Sequence, residues 1–213
     1  MATWLAHLRI ADKLLDEFDF NETDFFVGNI APDCGEPAAG GFDPPKEVTH
    51  WTNSGKAHCE YERFYREMIS GRPLDRRTRD FLLGYYCHLM ADVLWSERIN
   101  APCKQKHHAL YSSDREEYYR RVKPEWYAND HLYLKRHPDD WAFHVLSSIE
   151  HYPVTCLPYY KTDNVEKQLR HIRQFYLNPP EYGTDFHYLT PEMMDEWVIQ
   201  AANAISERLA CRV

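Results

Sequence analysis

The segment from Asp80 to Ile99 constrains the fold of this chain more than any other. Its sequence, DFLLGYYCHLMADVLWSERI, is apolar on almost every side from Phe81 to Trp95, although the mean hydropathy of the whole chain is −0.66. A helix that is apolar all round lies in the middle of a bundle. We therefore predict a central helix that other helices surround.

Two polar side chains, His88 and Asp92, interrupt this helix. Their spacing stacks them on one face of the helix, about one turn apart. An ionised aspartate that is buried without a partner is costly, so the pair must meet a further group. A divalent cation would satisfy both side chains, because histidine supplies a nitrogen ligand and aspartate an oxygen ligand. A simple hydrogen bond between the two residues in the core is the other interpretation that the spacing allows.

Three residues elsewhere in the chain could join this pair. His7 lies on the inner flank of a predicted first helix, Asp33 opens a loop rich in glycine and proline at 33–49, and His50 closes that loop. Long loops in compact domains are more often functional than idle. Each of these residues alone would more often be a core histidine or a turn aspartate. Four segments that each deliver a histidine or an aspartate beside apolar residues favour a shared metal site.

Apolar periodicity, interrupted by proline and glycine, predicts a single all-α domain over residues 1–213, folded as a multi-helix bundle. The loop at 33–49 is predicted to have no regular structure. Thr190-Pro191-Glu192 predicts a helix start, with threonine as the N-cap and proline at the first helical position. The predicted helices cover residues 3–18, 24–30, 56–70, 75–99, 110–134, 138–151, 162–176 and 190–210.

The charge balance restricts the partners of the chain. Asp and Glu number 33 against 25 Lys and Arg, which gives a formal net charge of −8 at pH 7. This balance provides no general attraction to a phosphate backbone, so long nucleic acid is not an expected partner. Bound divalent ions would still attract small phosphate-bearing substrates.

The sequence has neither a signal-peptide pattern nor a run that could span a bilayer, so we expect a cytoplasmic protein without a transmembrane segment. The oligomeric state is not indicated.

Five stretches of the chain carry a family resemblance. They are WLAHLRIADKLL at 4–15, FFVGNIAPD at 25–33, THW at 49–51, FLLGYYCHLMADVLW at 81–95 and WYANDHLYL at 126–134. In this order and spacing they resemble the zinc-dependent phospholipase C family, which is related to single-strand-specific nucleases and shares an all-helical fold. The last stretch resembles the Tyr-Asn-Asp segment of intracellular bacterial relatives. The chain is thus identified as an intracellular bacterial-type member of that family.

The resemblance implies a set of metal ligands. In the family, one ion is surrounded by the residues that correspond to Asp33, His50, His88 and Asp92. The residue at the position of Asp92 also bridges to a second ion, which a histidine at the position of His7 holds. Asp33 would in addition orient the attacking water as a general base. The resemblance therefore implies two divalent ions, with zinc favoured and iron, manganese or nickel also compatible with mixed histidine and aspartate ligands.

The chain departs from the secreted relatives in two respects. Those relatives use the amino group of a processed N-terminal tryptophan as a ligand, whereas Trp4 is internal here. Their third metal uses a histidine shortly after the HxxxD motif, and position 98 here is Arg98. The third site is therefore missing or rebuilt, with Asp130 as the candidate replacement ligand, alone or with His107, His108 or His131. The adjacent pair His107 and His108 is expected to be solvated.

These features predict a metal-dependent hydrolase that cleaves phosphoester bonds with a water activated by two ions. Its substrate would be a small phosphoester or a phospholipid headgroup. The alternative is a catalytically altered helical binding protein that keeps the fold and part of the metal site. A phosphohydrolase of the HD type is disfavoured, because that family needs an adjacent His-Asp pair and the chain has only Asp130-His131 in the reverse order.

Overall fold

Helices form most of the chain in the computed structural model, which describes residues 2–183 and 185–212. Within those residues the strands form one short antiparallel hairpin, made of β1 (Glu36–Ala38) and β2 (Gly41–Asp43). The all-α fold predicted from the sequence is therefore confirmed. The helices are α1 (Trp4–Leu15), α2 (Glu22–Ile30), α3 (Lys46–Thr49), α4 (Tyr61–Met68), α5 (Arg76–Trp95), α6 (Ala101–Lys106), α7 (His108–Ser113), α8 (Arg115–Arg136), α9 (Trp141–Ser148), α10 (Asn164–Leu177) and α11 (Pro191–Leu209).

Helix α5 lies in the middle of the bundle, as its apolar sequence predicts. Every residue over 80–92 is buried, and α1, α2, α4 and α11 all pack against the helix. Its first turn is fixed by the N-cap Asp75, whose carboxylate accepts a hydrogen bond of 2.8 Å from the backbone N–H of Thr78. After α5 the chain continues directly into a π-type turn at Ser96–Asn100. No helix within the described residues is long and apolar enough to cross a bilayer.

Two glycines allow α2 and α5 to cross at backbone contact. A Cβ atom at Gly28 would lie 2.0 Å from the carbonyl oxygen of Phe81, and a Cβ atom at Gly84 would lie 2.2 Å from that of Phe25. Any side chain at either position would therefore force the two helices apart. The crossing places the 3-10 turn that follows α2, Ala31–Asp33, beside the middle of α5.

The prediction that residues 33–49 have no regular structure was wrong. The segment contains the hairpin of β1 and β2, in which Ala38 pairs with Gly41 across a two-residue turn. Gly40 and Gly41 have φ values of +88° and +152°. These angles are open to glycine and strained for other residues, so the two glycines make the turn possible. The short helix α3 then leads to His50, which caps its carboxyl end.

The helix predicted over 110–134 is divided in two, and the one predicted over 138–151 ends early, at Ser148. The division falls at Asp114, which has an extended backbone and accepts a 2.8 Å hydrogen bond from the N–H of Glu117. A carboxylate that caps a new helix competes with continuation of the preceding one.

The start predicted for the last helix is confirmed, since the hydroxyl of Thr190 accepts a hydrogen bond from the N–H of Met193 at 3.3 Å.

The substitution Gly84→Ala tests the close crossing of α2 and α5. Alanine favours a helix over glycine by about 1 kcal/mol, but its Cβ atom would meet backbone atoms of Phe25 and Asn29 at 2.2 and 2.9 Å. We expect the variant to lose about 3 kcal/mol of unfolding free energy, the upper end of the usual cost of overpacking. Urea unfolding monitored by circular dichroism measures the change.

Gly183→Ala is the matched control, because nothing lies within 4 Å of the Cβ atom that it adds. An unfolding midpoint of Gly84→Ala equal to that of this control would contradict the role assigned to the crossing.

Candidate metal centre

Five buried side chains from four segments of the chain meet beside the middle of α5. His88 and Asp92 come from α5, His7 from α1, Asp33 from the turn after α2, and His50 from the end of α3. Asp33 is 5% exposed and the other four are 0% exposed. They form two groups that share one histidine: His7, His88 and Asp92 in one, and Asp33, His50 and His88 in the other. In each group the potential ligand atoms all lie within 4.8 Å of one another.

The carboxylate of Asp92 lies between these groups and turns one oxygen to each side. Its Oδ1 atom is 3.6 Å from Nε2 of His7. Its Oδ2 atom is 3.6 Å from Nε2 of His50 and 3.7 Å from Nε2 of His88. Asp33 completes the second side, since its Oδ1 atom is 3.3 Å from Nε2 of His50. A carboxylate with its two oxygens directed in this way can bridge two ions.

Backbone carbonyls fix the orientation of two of the histidines. Nδ1 of His88 lies 2.7 Å from the carbonyl oxygen of Asn29, and Nδ1 of His50 lies 3.0 Å from that of Lys46. Because a carbonyl only accepts, Nδ1 of His88 donates, and its Nε2 atom keeps a lone pair that faces the carboxylates. Nδ1 of His50 also lies 2.9 Å from the hydroxyl of Thr49, which can donate to it, so this ring is held by two neighbours. Histidines that bind metals are oriented by the same kind of hydrogen bond.

The backbone that carries Asp33 and His50 is held by three tyrosines. Tyr85 donates its hydroxyl proton to the carbonyl oxygen of Thr49, the residue before His50. Tyr160 donates to the carbonyl oxygen of Ala31 at 2.5 Å. Tyr159 in turn donates to the hydroxyl oxygen of Tyr85 at 3.0 Å. The segment after α9 thus fastens two of the loops from which the site is built.

Several buried polar atoms of the site have no hydrogen-bond partner among the described residues. Unpaired buried polar atoms are costly and uncommon in folded proteins. Imidazole nitrogen and carboxylate oxygen are also the ligands that zinc takes most readily besides thiolate. The residues present therefore fit a divalent metal ion. The atoms without a hydrogen bond include both ring nitrogens of His7, Nε2 of His50, Nε2 of His88, Oδ2 of Asp33 and Oδ2 of Asp92.

A lysine that the sequence analysis did not single out also enters the site. Nζ of Lys56 lies 2.8 Å from Oδ1 of Asp33 and 3.3 Å from Oδ2 of Asp92, and its side chain is only 17% exposed. Lys46 approaches the same oxygen of Asp33 from outside, at 4.0 Å. A lysine after Ser-Gly in a polar stretch is typical of a surface turn, so no local signal in the sequence indicates that Lys56 is buried.

Burial and charge together set the protonation of the site. Burial alone would raise the pKa of Asp33 and of Asp92, but the Lys56 ammonium lowers both pKa values well below the ordinary one. Burial lowers the pKa of His88 well below its usual value, and burial followed by the Lys56 charge lowers the pKa of His50. The carboxylates are thus ionised and these imidazoles neutral, which are the forms that bind metals.

Asp130 is not brought into either group. Its carboxylate accepts hydrogen bonds from the hydroxyl groups of Thr3, at 2.8 Å, and Tyr176, at 2.7 Å. Thr3 is the N-cap of α1, and the N–H of the preceding residue, Ala2, donates to Oδ1 of Asp92 at 3.1 Å. Asp130 therefore holds the start of α1 against the site. Its assignment as a metal ligand stays a prediction.

The other histidines named for a third site also lie outside both groups. His107 is half-buried and packs against Tyr188, with 4.6 Å between the ring centroids. His108 is exposed, as expected for a solvated residue. His131 stacks on Tyr182 at 5.1 Å. Among the described residues, these three histidines thus take part in aromatic packing or face solvent.

Asp130→Asn tests the proton bound at Asp130. Burial raises the pKa of this carboxyl group in the folded protein to about 7, from 3.8, although Tyr176 and Thr3 act to lower it. A group with a raised pKa stabilises the fold fully below its unfolded value and loses that contribution as the pH rises through its folded value. The stability of the variant relative to wild type should therefore increase between about pH 5 and 7, by up to about 1.4 kcal/mol per pH unit.

Urea unfolding of the chelator-treated proteins over this pH range measures the difference. Asp139→Asn, at an exposed position, is the matched control for the same chemical change made outside the core. A constant difference for Asp130→Asn would mean that Asp130 does not bind a proton in the folded protein near neutral pH.

Comparison with known proteins agrees with the resemblance described above. A family model described as zinc-dependent phospholipase C matches residues 5–179, which is most of the chain. The matched region contains all five side chains that meet beside α5. No curated protein and no solved structure matches the chain. From the length of the family match, the chain belongs to the zinc-dependent phospholipase C family.

Proposed function

We propose that the protein is a metal-dependent hydrolase that cleaves a phosphoester bond with the help of two divalent ions, zinc in the first instance. One observation carries this proposal. Buried nitrogen and oxygen atoms of five side chains converge, and several of them have no hydrogen-bond partner within the described residues. Membership of the family supports the coarser statement that the protein is a zinc-dependent phospholipase C-like hydrolase.

The geometry supports an assignment of ligands to two ions. Asp33, His50 and Oδ2 of Asp92 would hold the first ion, and His7 with Oδ1 of Asp92 the second. His88 is close enough to join either group. Its Nε2 atom lies 3.7 Å from Oδ2 of Asp92, the oxygen that also faces His50, which favours the first ion.

When bound, two such ions lower the pKa of a water molecule and neutralise charge at the phosphoryl group. Asp33 would act on the water. Its Oδ1 atom contacts Lys56 and His50, whereas Oδ2 has no hydrogen-bond partner in the part of the chain that the structure describes. Because the pKa of Asp33 is lowered well below its usual value, it is ionised near neutral pH and a weak base. Its main contribution would be to orient the water by accepting its hydrogen bond.

An open groove with basic side chains in its wall could take a small anionic substrate. Its volume is about 710 Å³, and it lies within electrostatic range of the site, because the charge of Lys123 acts on Lys46 and that of Asp33 acts on Tyr127. A phosphoester would find cations there although the whole chain is acidic. A larger cavity of about 950 Å³ also lies along α8, and neither it nor the groove is lined by any of the five converging side chains. The groove is lined by Arg115, Glu116, Tyr119, Arg120, Lys123, Pro124, Tyr127 and Tyr182.

Metal content tests the proposed centre directly. Protein purified with zinc and without chelators should contain about two ions per chain, as in other two-metal hydrolases. His7→Ala should reduce the content to about one, because the second ion would lose its histidine ligand while the first keeps Asp33 and His50. Inductively coupled plasma mass spectrometry gives the stoichiometry.

His58→Ala serves as the control, since His58 is exposed on the loop that follows His50. Its metal content should equal that of wild type. A wild-type protein with less than one divalent ion per chain would remove the basis of the proposed function.

Asp33→Asn tests the reaction. The amide keeps the shape of the side chain but removes its negative charge, so it should hold an ion and orient the water less well, and hydrolysis of a chromogenic phosphodiester at saturating zinc should fall by roughly 100-fold or more in kcat/KM. The exposed Asp139→Asn should leave kcat/KM unchanged. Full activity of Asp33→Asn would contradict the role of Asp33. A wild-type protein that binds metal and phosphoesters without hydrolysing them would support the alternative, a helical binding protein that keeps part of the site.

A further inference from the structure

Lys56 is placed beside Asp33 and Asp92 by a turn that several hydrogen bonds define. The hydroxyl of Thr52 donates to the carbonyl oxygen of Gly55 at 2.8 Å, and the N–H of His58 donates to the same oxygen at 2.9 Å. Gly55 has a φ of +95°, a region that favours glycine. The thiol of Cys59 donates to the carbonyl oxygen of Lys56 at 3.1 Å. The backbone of Lys56 is therefore held on both sides, and its side chain enters the site from a fixed point.

The ammonium of Lys56 compensates charge that the fold buries. Asp33 and Asp92 are both nearly inaccessible to solvent and both ionised. Burying two carboxylates side by side without a cation would be strongly unfavourable. The Lys56 ammonium contacts one oxygen of each, at 2.8 and 3.3 Å. Burial alone would lower the pKa of Lys56, but the two carboxylates raise it above its ordinary value, so the side chain is charged.

A divalent ion and this ammonium need the same place. An ion held by Asp33 and Asp92 would bind Oδ1 of the first and Oδ2 of the second, because these are the oxygens nearest Nε2 of His50. They are also the two oxygens that Lys56 contacts. Two cations cannot share these oxygens at contact distance in a buried site without strong repulsion.

The side chain of Lys56 has a way out that the backbone need not follow. The residues on either side in sequence, over 53–55 and 57–58, are exposed, and the lysine itself is half-buried. The four-carbon side chain of lysine rotates about several single bonds, so the ammonium can move to solvent while the backbone of the turn stays in place.

We propose that Lys56 is an exchangeable counter-ion of the metal centre, whose ammonium lies between Asp33 and Asp92 in the metal-free protein and leaves when a divalent ion binds there. The inference rests on the proposed metal centre and adds a residue to it. Lys56 keeps the two carboxylates in place before the metal arrives, and metal affinity is lower than the ligands alone would give, because the ammonium must first be displaced.

Chemical labelling of wild-type protein tests the exchange without any substitution. A lysine-reactive succinimidyl ester, quantified by peptide mass spectrometry, should label Lys56 about tenfold faster in zinc-loaded than in chelator-treated protein. The reason is that the ammonium is shielded between two carboxylates in the chelator-treated protein and reaches solvent once an ion has displaced it. Lys135, an exposed residue, should react at one rate in both samples. Zinc content is measured on the same samples.

Lys56→Met gives a second, independent measurement. Methionine keeps most of the stem and removes the charge, so zinc should bind at least about tenfold more tightly in competition with a chromogenic chelator, and the metal-free variant should unfold at lower temperature. Lys46→Met is the matched control, because Lys46 faces the same carboxylate at 4.0 Å from outside the site. Its zinc affinity should change by less than about threefold.

The outcomes separate the inference from the proposed function. If zinc binds and neither the labelling of Lys56 nor the affinity of Lys56→Met changes, the exchange is wrong and the metal centre stands. Equal tightening by Lys56→Met and Lys46→Met would also overturn it, because the effect would then be general electrostatics. If wild type binds no zinc, both the exchange of Lys56 and the proposed function are wrong. Should metal-free Lys56→Met not fold, the labelling of wild type decides alone.

Discussion

The contact of backbone with backbone between α2 and α5 is the constraint on which the rest of the site depends. Gly28 and Gly84 leave no room for a Cβ atom at the crossing. At this separation the carbonyl oxygen of Asn29 reaches Nδ1 of His88, which fixes the ring and its protonation. The same crossing determines where α2 ends and therefore where Asp33 lies. The position of Asp33, a candidate metal ligand, is thus decided by two residues that have no side chain of their own.

Buried charge is the second constraint, and the fold meets it with groups from distant parts of the chain. Asp33 and Asp92 are about sixty residues apart, yet they share one lysine and one histidine. Neither carboxylate could stay ionised in the core without such neighbours. The arrangement that suits a divalent ion therefore also allows the fold to bury the two carboxylates. The positive charge of Lys56 stabilises Asp33 and Asp92, and their negative charges stabilise Lys56.

The sequence predicts what depends on periodicity and misses what depends on tertiary placement. The apolar run around His88 and Asp92 predicts the central helix, and the order of the motifs predicts which residues converge. Lys56 could not be predicted, because its burial results from the fold around it and leaves no local pattern. The break between α7 and α8 at Asp114 depends on a single capping residue, and the hairpin after Gly35 depends on single glycines. The spacing of apolar residues does not indicate either feature. Whether the converging residues bind metal stays a prediction.

The tyrosines that fasten the site have a consequence for its assembly during synthesis. The five converging side chains all lie before position 93. Tyr160, which donates to the backbone shortly before Asp33, and Tyr159, which donates to the hydroxyl oxygen of Tyr85, come far later. A nascent chain that has extruded α5 carries every donor atom but not the segment that keeps two of them in position. The centre therefore reaches its final geometry only after Tyr159 and Tyr160 have left the ribosome, when long-range contacts close over donors made much earlier.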